Sequence, residues 1–357
     1  DFDYEALPAR VVFGAGAARA RLAGEVEALG ARRVLVVAAA AEEALARELV
    51  GPLGDRVAGF FADVSPHVPV PVAEAARARA GDLGADALLS VGGGSTTGTA
   101  KAVALTTGLP IVAVPTTYAG SEVTPVWGLT EAGRKTTGTD RAVLPAVVVY
   151  DPDLTRSLPP GLSGASGLNA MAHCVEAFWA PRHNPVSALF AEEGIAALAR
   201  GLPGVVADGA DRAARSDALY GAYLAGVAFA TTGSGLHHKI CHVLGGAWDL
   251  PHAETHAIVL PHVVAFNAPA VPEAAGRIAR ALGADDPARG LSDLAGRLGI
   301  PRGLGEVGLP EDALPEAAGL VAPVVPPDNP RPVEAGDLEG LLRAAWAGEA
   351  VAAGARR

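Results

Sequence analysis

A set of short apolar runs in the first half of the chain constrains its fold more than any other feature. They are Arg10–Phe13, Val34–Val37, Val57–Phe61, Ala87–Val91, Pro110–Val114 and Val147–Val149. A run such as Val34-Leu35-Val36-Val37 has no polar alternation. That is the pattern of a strand covered on both faces of a parallel sheet. Ala/Leu/Glu segments separate the runs: one after Gly14-Ala15-Gly16, one near 41–49 and one over 72–83. Strand alternating with helix predicts a parallel α/β sheet. After Asp151-Pro152 strand-like runs nearly vanish. Helical segments take over at about 166–179, 184–200, 211–230, 235–245, 273–282, 288–298 and 335–347, punctuated by Pro181, Gly201, Gly283 and Pro301. We therefore expect an α/β domain over 1–152 and an all-helical domain over 153–357, with a ligand cleft between them. A chain of 357 residues is long enough for two cores. No internal repeat or low-complexity linker interrupts it.

Composition narrows the partners. The net charge of −11 and pI near 5.3 argue against nucleic acid or an anionic membrane as the main partner. No run of about 18 uncharged apolar residues and no secretory start is read, and Asp1 is taken as a trimmed N-terminus. Cys174 and Cys241 sit in apolar helical patterns and make no disulfide framework. They read as small core residues of a reduced, cytoplasmic protein. Only three of the 28 basic residues are lysine: Lys101, Lys135 and Lys239. Lysine is a compact point charge and arginine a planar fork, so the survivors mark tight polar sites.

Two loops at strand ends carry candidate binding chemistry. Ser90-Val91-Gly92-Gly93-Gly94-Ser95 leads from a strand into a helix whose free N–H groups suit a pyrophosphate. It is neither G-x-G-x-x-G nor a Walker A loop, and its plain alternative is an ordinary turn. Thr116-Thr117-Tyr118-Ala119-Gly120-Ser121 follows the next strand with hydroxyls that suit ribose or nicotinamide, or that merely cap a helix. Open α/β sheets bind ligands at such ends. Gly93, Gly94, Ser95, Thr116, Thr117, Tyr118, Ser121 and Lys135 are thus the candidate cofactor contacts of a Rossmann-like nucleotide-binding domain. Lys135 lies in Gly133–Gly138, which otherwise reads as a solvated turn between strands.

The densest chemistry lies between Gly235 and His262. Six of the nine histidines fall there: His237, His238, His242, His252, His256 and His262. His238 and His242 are four apart, as are His252 and His256, so each pair shares a helical face. Upstream, Asn169 and His173 are one helical turn apart. Singly, such residues read as hydrogen-bonded core histidines; together they read as one wall of an active site.

The segments 124–140 (TPVWGLTEAGRKTTGTD), 167–181 (GLNAMAHCVEAFWAP), 236–246 (LHHKICHVLGG), 250–262 (LPHAETHAIVLPH) and 328–338 (DNPRPVEAGDL) carry a resemblance. The chain resembles the iron-containing (group III) alcohol dehydrogenase family over nearly its full length, and within it the maleylacetate-reducing branch. The resemblance implies NADH or NADPH as cofactor, a homodimer, and reduction of the conjugated C=C bond of a small dicarboxylate to 3-oxoadipate. That step belongs to aromatic-compound breakdown of the hydroxyquinol, chlorocatechol or resorcinol type. Metal-dependent members hold a divalent ion with one Asp and three His. Carried over by position, these fall on Asn169, His173, His238 and His252, so the carboxylate is missing. Gly98 stands where many metal-dependent relatives have Asp. No metal is expected. His242 and His252 are the first choices for proton donor, followed by His238 and His173. Lys239, with Asn169 and His237, is a candidate for binding the substrate. Two alternatives stay open: a metal-dependent alcohol dehydrogenase that tolerates Asn169, and a family member recruited to a non-redox biosynthetic step.

Overall fold

The computed structural model describes residues 2–7, 10–131 and 134–351. It divides into two compact units, Ala6–Leu158 and Pro159–Arg357, with Asp1–Glu5 grouped with the second.

The first unit contains β1 (Arg10–Phe13), α1 (Ala17–Ala28), β2 (Val34–Val37), α2 (Glu43–Val50), β3 (Val57–Phe61), α3 (Val70–Asp82), β4 (Ala87–Gly92), α4 (Gly94–Thr107), β5 (Ile111–Pro115), β6 (Val126–Glu131), β7 (Arg134–Thr139) and β8 (Val147–Tyr150). Six strands pair in parallel in the order β1-β8-β5-β4-β2-β3. Successive side chains alternate across the sheet, so β2 serves two cores. Val34 and Val36 pack with Leu22 and Val26 of α1 and Leu49 of α2. Leu35 and Val37 pack with Ala76 of α3 and Val103 of α4 on the opposite face. Both faces are apolar, which is why the run shows no alternation. All six predicted strands are present.

The segment read as a solvated turn is instead β7, paired antiparallel with β6 from Val126↔Thr139 to Glu131↔Arg134. Its side chains are largely exposed, so no apolar period marked it.

The second unit is helical: α5 (Pro160–Glu176), α6 (Pro185–Ala207), α7 (Arg212–Thr232), α8 (Leu236–Trp248), α9 (His252–Asn267), α10 (Pro272–Leu282), α11 (Pro287–Arg297), α12 (Leu314–Val321) and α13 (Ala335–Ala347). Asn184 and Ser187 form a reciprocal cap at the start of α6, and Asp211 caps α7. No helix among the described residues is long and apolar enough to cross a membrane.

Candidate active site

In the first unit, the connection after β2 leads to β3 on one side and the connection after β4 leads to β5 on the other. The crevice where connections diverge lies between β2 and β4, at the carboxyl ends of the strands, and there open α/β sheets take their ligands. The loop after β2 is Ala38-Ala39-Ala40-Ala41; the loop after β4 is the glycine run. Gly93 is the N-cap of α4, and no side chain caps that helix, so its first N–H groups are not answered by a local acceptor. A Cβ on Gly93 would lie 3.0 Å from Thr117 Cγ2, so the glycine lets the second loop close against the first. Thr116 N donates to Gly92 O at 3.1 Å, which ties the two loops together. Gly93, Gly94, Ser95, Thr117 and Ser121 keep partial exposure, while Thr116 and Tyr118 are buried and serve the packing of the loop. The side chain of Lys135 lies outside the described residues.

Lys101 has a different job from binding. Its Nζ is fully buried and donates to Ser121 O (2.6 Å), Thr124 O (2.7 Å), Thr124 Oγ1 (3.1 Å) and Val126 O (2.8 Å). Burial pulls its ammonium down to about 7, against the opposing pull of Glu122. It staples the hydroxyl-rich loop to α4.

In the second unit, α5, α7, α8 and α9 bring the histidines together. His242 and His252 are exposed, with rings nearly parallel at 13° and centroids 6.4 Å apart. Asn169 and His173 are half-buried on α5. The His173 ring stacks on Phe229 (centroids 4.6 Å apart) and on His238 (4.8 Å), and those two rings are 5.7 Å from each other. His237, His238 and His256 are buried. The cluster is therefore graded from an accessible rim to an enclosed floor.

Glu176, to which the sequence assigned no role, organises that floor. Its Oε2 accepts from Gly235 N at 2.8 Å and from His238 Nδ1 at 2.5 Å, and its Oε1 accepts from His237 N at 2.6 Å. The carboxylate thus caps the start of α8, whose N-cap Gly235 has no side chain to do so. Burial pushes the Glu176 carboxyl up to about 7, and the N–H donors pull it back. In its ionised form the carboxyl can only accept, and His238 Nδ1 then carries the hydrogen. His238 Nε2 is then a bare lone pair, and burial holds the ring neutral, down to about 3. In that form His238 presents an acceptor rather than a donor. Burial also keeps His173 well below the ordinary histidine value.

Four buried polar atoms in this region have no hydrogen-bond partner: Asn169 Oδ1, His173 Nδ1, His238 Nε2 and His256 Nε2. Unanswered groups of this kind are costly unless a ligand or water meets them. Of the predicted substrate contacts, Asn169 belongs to this set and Lys239 is half-buried on α8. His237 is enclosed instead, its Nε2 2.9 Å from His256 Nδ1. His262 lies elsewhere: with Pro261, Arg297 and Arg302 it lines a separate cavity of about 600 Å³ that contains none of the other candidate residues.

The carried-over divalent position does not fit a hard cation. Its fourth member is a neutral amide oxygen. Moreover, among the described residues the one group of three or more His, Cys, Asp or Glu with all ligand atoms within 4.8 Å is His237, Cys241 and His256.

Residues 8–152 match the family described as iron-containing alcohol dehydrogenase, and residues 163–346 match the C-terminal part of the Fe-containing alcohol dehydrogenase family. The chain is 53% identical to a maleylacetate reductase of Sphingobium indicum over 344 residues, covering 96% of this chain and 97% of that one. It is similar to the crystal structure of maleylacetate reductase from Rhizobium sp. strain MTP-10005, with TM-score 0.95, 45% identity and coverage of 98% and 99%. A sulfoacetaldehyde reductase from Bifidobacterium kashiwanohense, solved in complex with NAD+, matches with TM-score 0.90 and 26% identity over 96% and 98% of the two chains.

Proposed function

This chain belongs to the iron-containing alcohol dehydrogenase family, and we propose that it is an NAD(P)H-dependent reductase of maleylacetate that works without a metal. The observation that carries the reading is the full-length identity of 53% to a relative of that activity. The site supports it, because an amide stands where the family's divalent ion needs a carboxylate.

Gly93, Gly94, Ser95, Thr117 and Ser121 would hold the dinucleotide, with the uncapped start of α4 receiving its pyrophosphate. Bound, the reduced nicotinamide supplies a hydride. The substrate is a dicarboxylate with a C=C bond conjugated to a ketone. Lys239 and the Asn169 amide hold its polar ends. The residues around it must then stabilise negative charge on the ketone oxygen as an enolate, and return a proton to the adjoining carbon. His242 and His252 at the rim are the groups for those tasks. His238, fixed as an acceptor, instead orients a donor of the substrate or of a bound water. An enolate spreads its charge over oxygen and carbon. It therefore asks less of the site than the localised alkoxide of a simple ketone reduction, for which a Lewis acid is the usual answer. We read the protein as a cytoplasmic homodimer that serves aromatic-compound breakdown.

The direct test is NADH absorbance on adding maleylacetate to the purified protein. One NADH consumed per maleylacetate, with 3-oxoadipate as product, is expected. No consumption, together with metal-dependent oxidation of simple alcohols, would return the chain to the alcohol dehydrogenase alternative.

Two smaller results are expected. The four residues directly after β2 are alanines, with no carboxylate at the strand end to repel a 2′-phosphate, so NADPH should be accepted alongside NADH. A KM for NADPH more than about 100-fold above that for NADH, roughly 2.7 kcal/mol, would contradict this. Lys239→Ala should raise KM for maleylacetate by about 10- to 100-fold, the scale of one lost charged contact, and leave KM for NADH nearly unchanged. Unchanged kinetics would make Lys239 an ordinary solvated helix residue.

A further inference from the structure

We propose that His237, Cys241 and His256 form a site for a soft monovalent cation, Cu⁺ or Ag⁺, separate from the position the family uses for its divalent ion. His237 and Cys241 are one turn apart on α8, and His256 comes from α9. Their ligand atoms all lie within 4.8 Å of one another, and all three residues are buried. His237 Nε2 is 2.9 Å from His256 Nδ1 and 3.8 Å from Cys241 Sγ. An ion at about 2.0 Å from nitrogen and about 2.3 Å from sulfur, in a trigonal plane, sets N–N edges of about 3.5 Å and N–S edges of about 3.7 Å. The N–S edge from His237 Nε2 to Cys241 Sγ already has that length. The N–N edge opens by roughly half an ångström, a small ring rotation.

Charge selects the ion. A thiolate with a monovalent cation is neutral overall, which suits a fully enclosed site. A divalent cation would leave a net positive charge there. Glu176, the carboxylate that organises this floor, is already taken up by Gly235 N, His237 N and His238 Nδ1. Thiolate and imidazole are also the donors that favour soft d¹⁰ ions. The exchange balances with one proton. Cys241 loses its thiol hydrogen to solvent as the S–metal bond forms. The hydrogen now shared between His237 Nε2 and His256 Nδ1 moves to the far nitrogen of its own ring. No electron is transferred.

Ag⁺ is the redox-inert probe. The intact protein is incubated with it, passed through a desalting column and examined by native mass spectrometry. One Ag⁺ per chain is expected, with a raised melting temperature. Cys241→Ala and His256→Gln should each weaken binding by at least 100-fold and abolish the melting shift. Cys174→Ala, which removes the chain's other thiol, should leave both intact, as should His173→Ala at the family's divalent position. X-ray absorption of the Cu⁺-loaded protein should show one sulfur and two nitrogens. Binding that survives Cys241→Ala but not Cys174→Ala overturns the assignment. So does a sulfur-only coordination shell, or Zn²⁺ held more tightly than Ag⁺. Should His256→Gln fail to fold, the X-ray absorption shell of the unaltered protein still decides.

Discussion

Glu176→Gln is expected to lower kcat for maleylacetate reduction by about 10- to 100-fold, the scale seen when a group that orients an active-site histidine is lost. The glutamine side chain fills the same space but changes the hydrogen-bond arithmetic. The carboxylate accepts from Gly235 N, His237 N and His238 Nδ1. A carboxamide has one acceptor oxygen, and its NH₂ must face one of those donors. If the mismatch falls on His238, the ring reverses its tautomer, Nε2 gains a hydrogen, and that atom turns from an acceptor into a donor. If it falls on the backbone, the start of α8 loses its cap. Either way a buried donor goes unanswered, at about 1–3 kcal/mol. For a unit of this size that is a fall in melting temperature of about 2–12 °C. Relief by enlarging the neighbour is closed off, because a Cβ on Gly235 would come within 2.8 Å of Glu176 Oε1. KM for NADH should change little, since the dinucleotide loops belong to a unit with cores of its own. Imidazole ¹⁵N NMR reads the tautomer directly. An unchanged kcat with His238 still protonated on Nδ1 would remove Glu176 from the positioning role and leave it as a helix cap alone.

What the sequence shows and what it hides follows from this geometry. The six sheet strands were legible because burial on both faces writes a continuous apolar run. The β6–β7 hairpin was not, since Arg134–Thr139 is largely exposed and its only signal is β-branched threonine. Helix α6 was expected to stop at Arg200, before Gly201 and Pro203, yet it runs to Ala207. There packing overrides local propensity. Helix α9 was visible only through the spacing of His252 and His256, because Pro261 sits inside it. The histidine wall was legible from density alone. Glu176 was harder. A carboxylate between Val175 and Ala177 announces a buried charge that needs partners, but those partners lie 59 to 62 residues further on. Lys101 hid for the same reason: its acceptors belong to a loop 20 to 25 residues away. Residue type revealed each charge, and only the fold could supply its partner.

Asn169→Asp should gain measurable affinity for a divalent cation and lose most native activity. Asn169 Oδ1 is buried without a hydrogen-bond partner, and so are His173 Nδ1, one turn later, and His238 Nε2. None of these atoms meets a hydrogen-bond partner within the protein. A carboxylate placed among them has three ways to relieve its isolation. It takes up a proton, it unsettles α5, or it captures a cation with the neutral imidazoles beside it. The last is favoured when metal is supplied, because imidazole and carboxylate together suit Zn²⁺ or Fe²⁺ far better than imidazole and amide. The fold should survive, since the two side chains are nearly isosteric. Catalysis should not. A negative group beside the developing enolate opposes its charge, and removing one preorganised donor typically costs about 100-fold or more in kcat. The unaltered protein should keep its activity through exhaustive EDTA treatment and gain nothing from added Zn²⁺ or Fe²⁺. Both proteins can be purified in parallel, their metal per chain measured, and each assayed before and after chelation. Stoichiometric metal in the unaltered protein, with activity lost to EDTA and restored by that ion, would overturn the metal-free reading. Asn169 would then have to be read as a tolerated ligand.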